Sequence, residues 1–187
     1  MPRHLVTTDS FYPRAYIAGN YYDCGIDGTT RSTIAGVATR LVVMPFVPVI
    51  DFSIDRIAID CTTAVASAQA RACIYDSDTT NSLPNTRLYD TAEFDCSTPG
   101  VKEETIGTPF AFEAGHLYWI GVHNSSTATL RGIAIASCPA IGVIGTASGA
   151  VYTGYRRDVA FGTDSPDPFG TPTLLNAVIP QVKFRVA

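Results

Sequence analysis

Charge is what this chain has least of. Of its 187 residues only 16% are Asp, Glu, Lys or Arg, against about 25% in an ordinary soluble domain, while 46% are hydrophobic. A surface with so few charges has little to hold copies apart, so contacts with other subunits are expected. The formal charge is -4 and no Lys/Arg cluster stands out, because the densest basic spot, Arg156-Arg157, is followed at once by Asp158. A phosphate backbone is held by a basic stripe, so nucleic acid is not expected as a partner.

Metal-type cysteine spacing is missing too. The five cysteines (Cys24, Cys61, Cys73, Cys96, Cys138) are odd in number, with no C-x-x-C and no close Cys/His pairing. They read as reduced, buried thiols acting as small hydrophobes, with no metal or other cofactor. Cys61 and Cys73 fall on segments expected to be adjacent strands, which leaves a link between them open. The opening "MPRHLVTTDS" has no apolar core of the kind a signal peptide needs, which fits assembly in a reducing cytoplasm. Residues 132–155 carry no charge, yet five glycines and Pro139 punctuate them. A bilayer helix needs about 20 predominantly apolar residues without such breaks, so short strands and turns are expected there and no membrane.

The motifs of common enzyme chemistries are absent as well: there is no G-x-S-x-G, no H-E-x-x-H and no P-loop. Of the three histidines, His4 lies near the start, and His116 and His123 are seven apart across an expected strand, hence on opposite faces. No catalytic residues are expected. Asp76, Asp78 and Asn81 lack the glycine and closing glutamate of a calcium loop and read as a polar turn. Asn124-Ser125-Ser126 reads as a hairpin tip.

What the chain does have is alternation. No helical period is sustained over ten or more residues, whereas two-residue periodicity recurs. In "RLVVMPFVPVIDFSIDRIAID" (40–60), Ile50, Phe52 and Ile54 sit on even positions, and Ile57, Ile59 and Cys61 on odd ones. The apolar face therefore changes phase at Asp55-Arg56, which calls for a bulge or tight turn. Pro45 and Pro48 cannot donate to a central ladder, so the run is expected to be several short, bent strands. "AQARACIY" (68–75) and "TRLYD" form a hairpin-like pair around a polar loop. "FAFEAGHLYWIGV" places Tyr118 and Trp119 on opposite faces of one strand, one of them expected in the core. "IPQVKFRVA" puts Val182, Phe184 and Val186 on one face of a last strand that closes the first sheet. Many short strands without crossover helices indicate an all-β fold, a jelly-roll-like antiparallel β-sandwich.

Residues 1–35 differ, with Phe11, Tyr12, Tyr16, Tyr21 and Tyr22 set among prolines, glycines and polar residues. They read as an extended N-terminal arm, and its aromatics either bind a partner or fold back on the single domain of 36–187. A second candidate surface is "VYTGYRRD", where Tyr152, Tyr155, Arg156 and Arg157 combine residue types favoured at interfaces and sugar faces. The Pro/Gly loop "FGTDSPDPFGTP" (161–172) is expected to run over the surface beside it.

The early "GNYY" (19–22), the entry strand "RLVVMPF" followed by "IDRIAIDCTT", the "ARACIYD...LPNTRLYD" hairpin and "FAFEAGHLYWIGV" together resemble jelly-roll proteins on the exterior of tailed bacteriophages and gene-transfer particles, over roughly residues 19–135. The cysteines and the uncharged 132–155 segment depart from that pattern. The resemblance implies a non-enzymatic virion structural protein on the particle exterior, oligomeric and with three subunits favoured. It would serve as a fibre, spike or tail-tip component in host-surface adhesion, with other virion proteins and a host glycan as partners. A capsid decoration (cement) protein clamped through the arm, and a carbohydrate-binding module, are the alternatives. Fold by itself does not choose among them.

Overall fold

The computed structural model describes residues 16–25, 31–139, 141–143, 149 and 151–187. It is all-β: two antiparallel sheets of seven strands each stack face to face, and a separate two-stranded ribbon pairs β11 (Gly142–Val143) with β12 (Val151–Tyr152). The first sheet contains β1 (Tyr21–Asp23), β2 (Arg31–Ala35), β4 (Phe52–Thr63), β8 (Gly100–Phe112), β10 (Thr129–Ile133), β15 (Ile179–Pro180) and β16 (Lys183–Val186). The second contains β3 (Arg40–Phe46), β5 (Gln69–Ser77), β6 (Pro84–Asp90), β7 (Phe94–Asp95), β9 (Tyr118–Asn124), β13 (Gly154–Asp158) and β14 (Thr173–Leu175). The chain passes between sheets at β3 to β4 to β5 and again at β8 to β9 to β10, the connectivity of a jelly-roll-like sandwich.

Alternation puts every second side chain between the sheets. Ile54, Ile57, Ile59 and Cys61 of β4 face Val42, Met44, Ile120 and Val122 of the other sheet in one core. Its aromatic centre is Phe46, Phe52, Phe112 and Phe184, with Phe46 lying 5.3 Å from both Phe112 and Phe184. Burying each such ring contributes roughly 1.5–3 kcal/mol, and an edge-on pair about 0.5–1.5 more.

The phase change at Asp55 is a bulge inside one continuous 12-residue strand, which corrects the expectation of several short strands over this part of the run. On one side Ile54 and Arg56 pair with Val186 and Arg185, so Asp55 is the extra residue; on the other they pair with Phe110 and Thr105, and β8 bows out between. Asp55 turns outward and accepts from Nε and Nη2 of Arg185, at 2.8 and 2.5 Å. Pro45 sits inside β3 opposite Trp119, where the β13 ladder has already ended at Val43. A residue without an N–H fits there because, among the described residues, no strand pairs with Pro45 on that side.

The last strand behaves as its pattern predicts: Val182, Phe184 and Val186 are buried, and β16 lies between β4 and β1. The arm boundary moves, however. β1 and β2 belong to the first sheet, so residues 21–23 and 31–35 are part of the sandwich rather than of an arm ending at 35. All five cysteines are buried free thiols. Cys61 and Cys73 are not neighbours, since β4 and β5 lie in different sheets and Cys73 faces away from the central core. Cys61 instead lies against Cys96, 3.8 Å from its carbonyl oxygen.

Candidate functional site

The arm aromatics divide. Phe11 and Tyr12 lie outside the described residues. Tyr16 stacks on Phe52 at 4.0 Å and meets Tyr22 edge-on at 5.1 Å, so both pack on this chain's own core. The Tyr22 hydroxyl accepts the Ile17 N–H at 2.9 Å, which pins the turn before β1. Tyr21 points the other way because neighbours in a strand alternate. It is 43% exposed, and its hydroxyl donates to Glu103, which also takes Arg56. The shared hydrogen bond lowers the Glu103 pKa and raises that of Tyr21. With the Asp55–Arg185 pair beside it, the outer face of the first sheet carries a ladder of charges already matched to one another.

The β13 residues divide as well. Tyr155 and Arg157 lie on the outer face of the second sheet, whereas Arg156, opposite Val42, is on the alternate side and half-buried. Tyr152 is half-buried in the ribbon, opposite Gly142. The four therefore do not form one patch. Tyr155 packs edge-on against Trp119 at 5.1 Å, and burial raises its pKa. Arg157 donates to the carbonyls of Pro168 and Phe169. It fastens the 161–172 loop to the sheet.

That loop is a strap rather than a free surface. Phe169 is fully buried in a second core with Leu41, Val43, Cys73, Tyr75 and Trp119. Tyr75 donates from its hydroxyl to the Pro166 carbonyl at 2.7 Å, Asp90 accepts the Ser165 N–H and hydroxyl at 2.6 and 2.8 Å, and Arg87 donates to the Ser165 carbonyl. The expectation that one of Tyr118 and Trp119 is core is exceeded: Tyr118 lies between the sheets and Trp119 beneath the strap, both buried. The Trp119 indole N–H has no hydrogen-bond partner among the described residues.

Beneath the start of the strap, His123 is fully buried, with Nε2 at 3.2 Å from the Val159 carbonyl and Nδ1 without a partner among the described residues. Its ring lies 5.1 Å from Phe161, over which Arg71 is held at 5.6 Å. Burial lowers its pKa, the Val159 bond works against that, Asp90 also raises it, and Arg71 and Arg157 lower it further. His116 is elsewhere, bonded to Asp76 at 2.6 Å. Asp78 accepts the backbone N–H groups of Thr80, Asn81 and Leu83, which makes the polar loop an Asp-capped turn.

At the opposite end of the sheets, between the edge strands β2 and β14, lies a cleft of about 130 Å³. Ile34, Val42, Leu130, Leu175, Ala177 and Pro180 form its walls, and Asn124 and Arg40 supply its polar atoms. Sequence reasoning missed Asn124 as a lining residue because its neighbours read as a hairpin tip. Its even-numbered place after Tyr118, Ile120 and Val122 was the available signal. No family model matches the chain, and no curated protein is similar to it at a significant level.

Proposed function

We propose that this chain is a structural protein of a phage-like particle, carried on the exterior and serving host-surface adhesion without catalysis. The observation that carries this reading is the placement of the motifs that resemble phage exterior proteins. "GNYY" leads into and begins β1, "RLVVMPF" is β3, "IDRIAIDCTT" lies in β4, the "ARACIYD" hairpin is β5 and β6, and the aromatic-glycine run spans the end of β8 and β9. These strands make up most of the sandwich, so the likeness follows its framework rather than one loop. The low share of charge fits a chain that assembles with copies of itself, as a trimer, and with other virion proteins.

A capsid decoration role is the competing reading, favoured by Ile17 and Tyr21, both exposed where the N-terminal segment joins β1. Imaging of intact particles at a resolution that traces this chain decides between them. A few copies at a tail or vertex support adhesion. Many copies on the head lattice refute it in favour of decoration, and absence from purified particles refutes both.

A further inference from the structure

We infer that the cleft between β2 and β14 is a subsite for the acetamido group of an N-acetylated sugar, an assignment that rests on the adhesion reading. One of its lining groups is unusual. Asn124 is 5% exposed, yet its side-chain amide has no hydrogen-bond partner among the described residues and opens into the cleft. The amide atoms keep contact with solvent through the cleft, so an otherwise enclosed side chain offers a donor and an acceptor to a ligand there.

A carboxamide offers a donor and an acceptor side by side. Its complement is another amide, which returns an acceptor and a donor in the same plane. What lines the cleft beside Asn124 is largely apolar: Ile34, Val42, Leu130, Leu175, Ala177 and Pro180. The occupant must therefore join an amide to a small apolar end, which describes N-acetyl. Size argues the same way. At about 130 Å³ the cleft is well below the roughly 300–1,000 Å³ of sites that hold whole small molecules, and suits one branch of a larger ligand.

The mouth points to a sugar as the body of that ligand. Arg40 lines the cleft, and its Nε donates to Asp158 at 2.7 Å. The Asp158 side chain remains 54% exposed. A guanidinium beside a carboxylate presents donors and acceptors to neighbouring hydroxyls, as a polyol requires. Gly36 keeps the wall open on the Asn124 side, since a Cβ there would come 3.4 Å from the Asn124 Cγ and 2.5 Å from the Ser126 carbonyl oxygen.

The test is titration of the full chain, followed by NMR of the Asn124 side-chain amide and the Val42 and Leu130 methyls, with N-acetylglucosamine, glucosamine, glucose and Nε-acetyl-lysine. The expected result is that N-acetylglucosamine moves all three signals, with affinity at least tenfold above glucosamine and glucose. Ala177→Leu, which adds bulk to the cleft lining, should weaken it at least tenfold. Equal response to glucose, shifts confined to other surfaces, or no response at tens of millimolar sugar would overturn the assignment, as would tighter binding of acetyl-lysine. Glycan binding mapped elsewhere, or a tail position without acetamido binding, would remove this subsite and leave adhesion standing. A head-lattice position would remove adhesion whatever the titration shows.

Discussion

Replacing Phe169 with alanine tests whether the strap is a separately opening unit or an inseparable part of the sandwich. Phe169 is fully buried between Leu41, Val43, Cys73, Tyr75 and Trp119, and meets the Tyr75 ring edge-on at 5.2 Å. A Phe→Ala change at such a site costs about 3–5 kcal/mol, the sum of lost transfer energy and an unfilled cavity. At about 1.4 kcal/mol per tenfold, closure of the strap should weaken by a factor of roughly 100 to 3,000. The central core holds none of the lost contacts, because the inner faces of β3, β5 and β9 pack on the first sheet without Phe169. Opening should therefore precede global unfolding in Phe169→Ala. The readout is built in: the chain has a single tryptophan, and Trp119 is 2% exposed under the strap. Its emission should shift to the red in the variant under native conditions, while far-ultraviolet circular dichroism keeps its β signal and denaturant unfolding stays cooperative. Unchanged emission with less than about 1 kcal/mol of lost stability would refute the reasoning, and so would one collapse reported by both signals together.

Acid should loosen the same element. His123 has its pKa lowered below 6.5 by burial, so the unfolded chain takes up the proton first; stability is full above pH 6.5 and falls as pH drops below it. Denaturant midpoints at pH 7.5 and 5.0 should differ more in the natural chain than in His123→Phe, and an equal difference in both would remove His123 as the cause. Gly121→Ala should prevent folding, at a cost above about 4 kcal/mol, because a Cβ there would lie 1.8 Å from the Val42 carbonyl oxygen; a soluble variant with native dichroism would contradict the β3–β9 packing. None of the five cysteines should react with a thiol reagent at pH 8 before denaturation and all five should afterwards, since all are buried and burial raises Cys96 to about 12 and Cys138 to about 11. One fast-reacting thiol in the native chain would count against that placement.

The two-residue periodicity determined by itself that the chain is all-β, that Val182, Phe184 and Val186 share one face of a last strand, and that the apolar face changes phase at Asp55-Arg56. These are local facts, because the face a side chain takes follows from its parity in the strand. That a bulge in one strand absorbs the change was decided by the pairing of β4 with β8 and β16. The sequence also carried a sign of the second core that is plain only afterwards. β9 is buried at every residue, and β3 from Leu41 to Met44, and strands apolar on both faces must be covered on both. What covers them is a matter of tertiary structure. The 161–172 loop looks polar and turn-rich along the chain, and only the folded sheet shows Phe169 reaching through it, with Arg157, Asp90 and Tyr75 holding its backbone. The separation of Tyr152 from Tyr155 and Arg157 was likewise decided by its joining the separate ribbon, whereas Arg156 parts from them by parity within β13. The cleft at Asn124 has the same origin. Its walls come from segments between Ile34 and Pro180, and no spacing along a chain specifies which residues meet when two sheets stack.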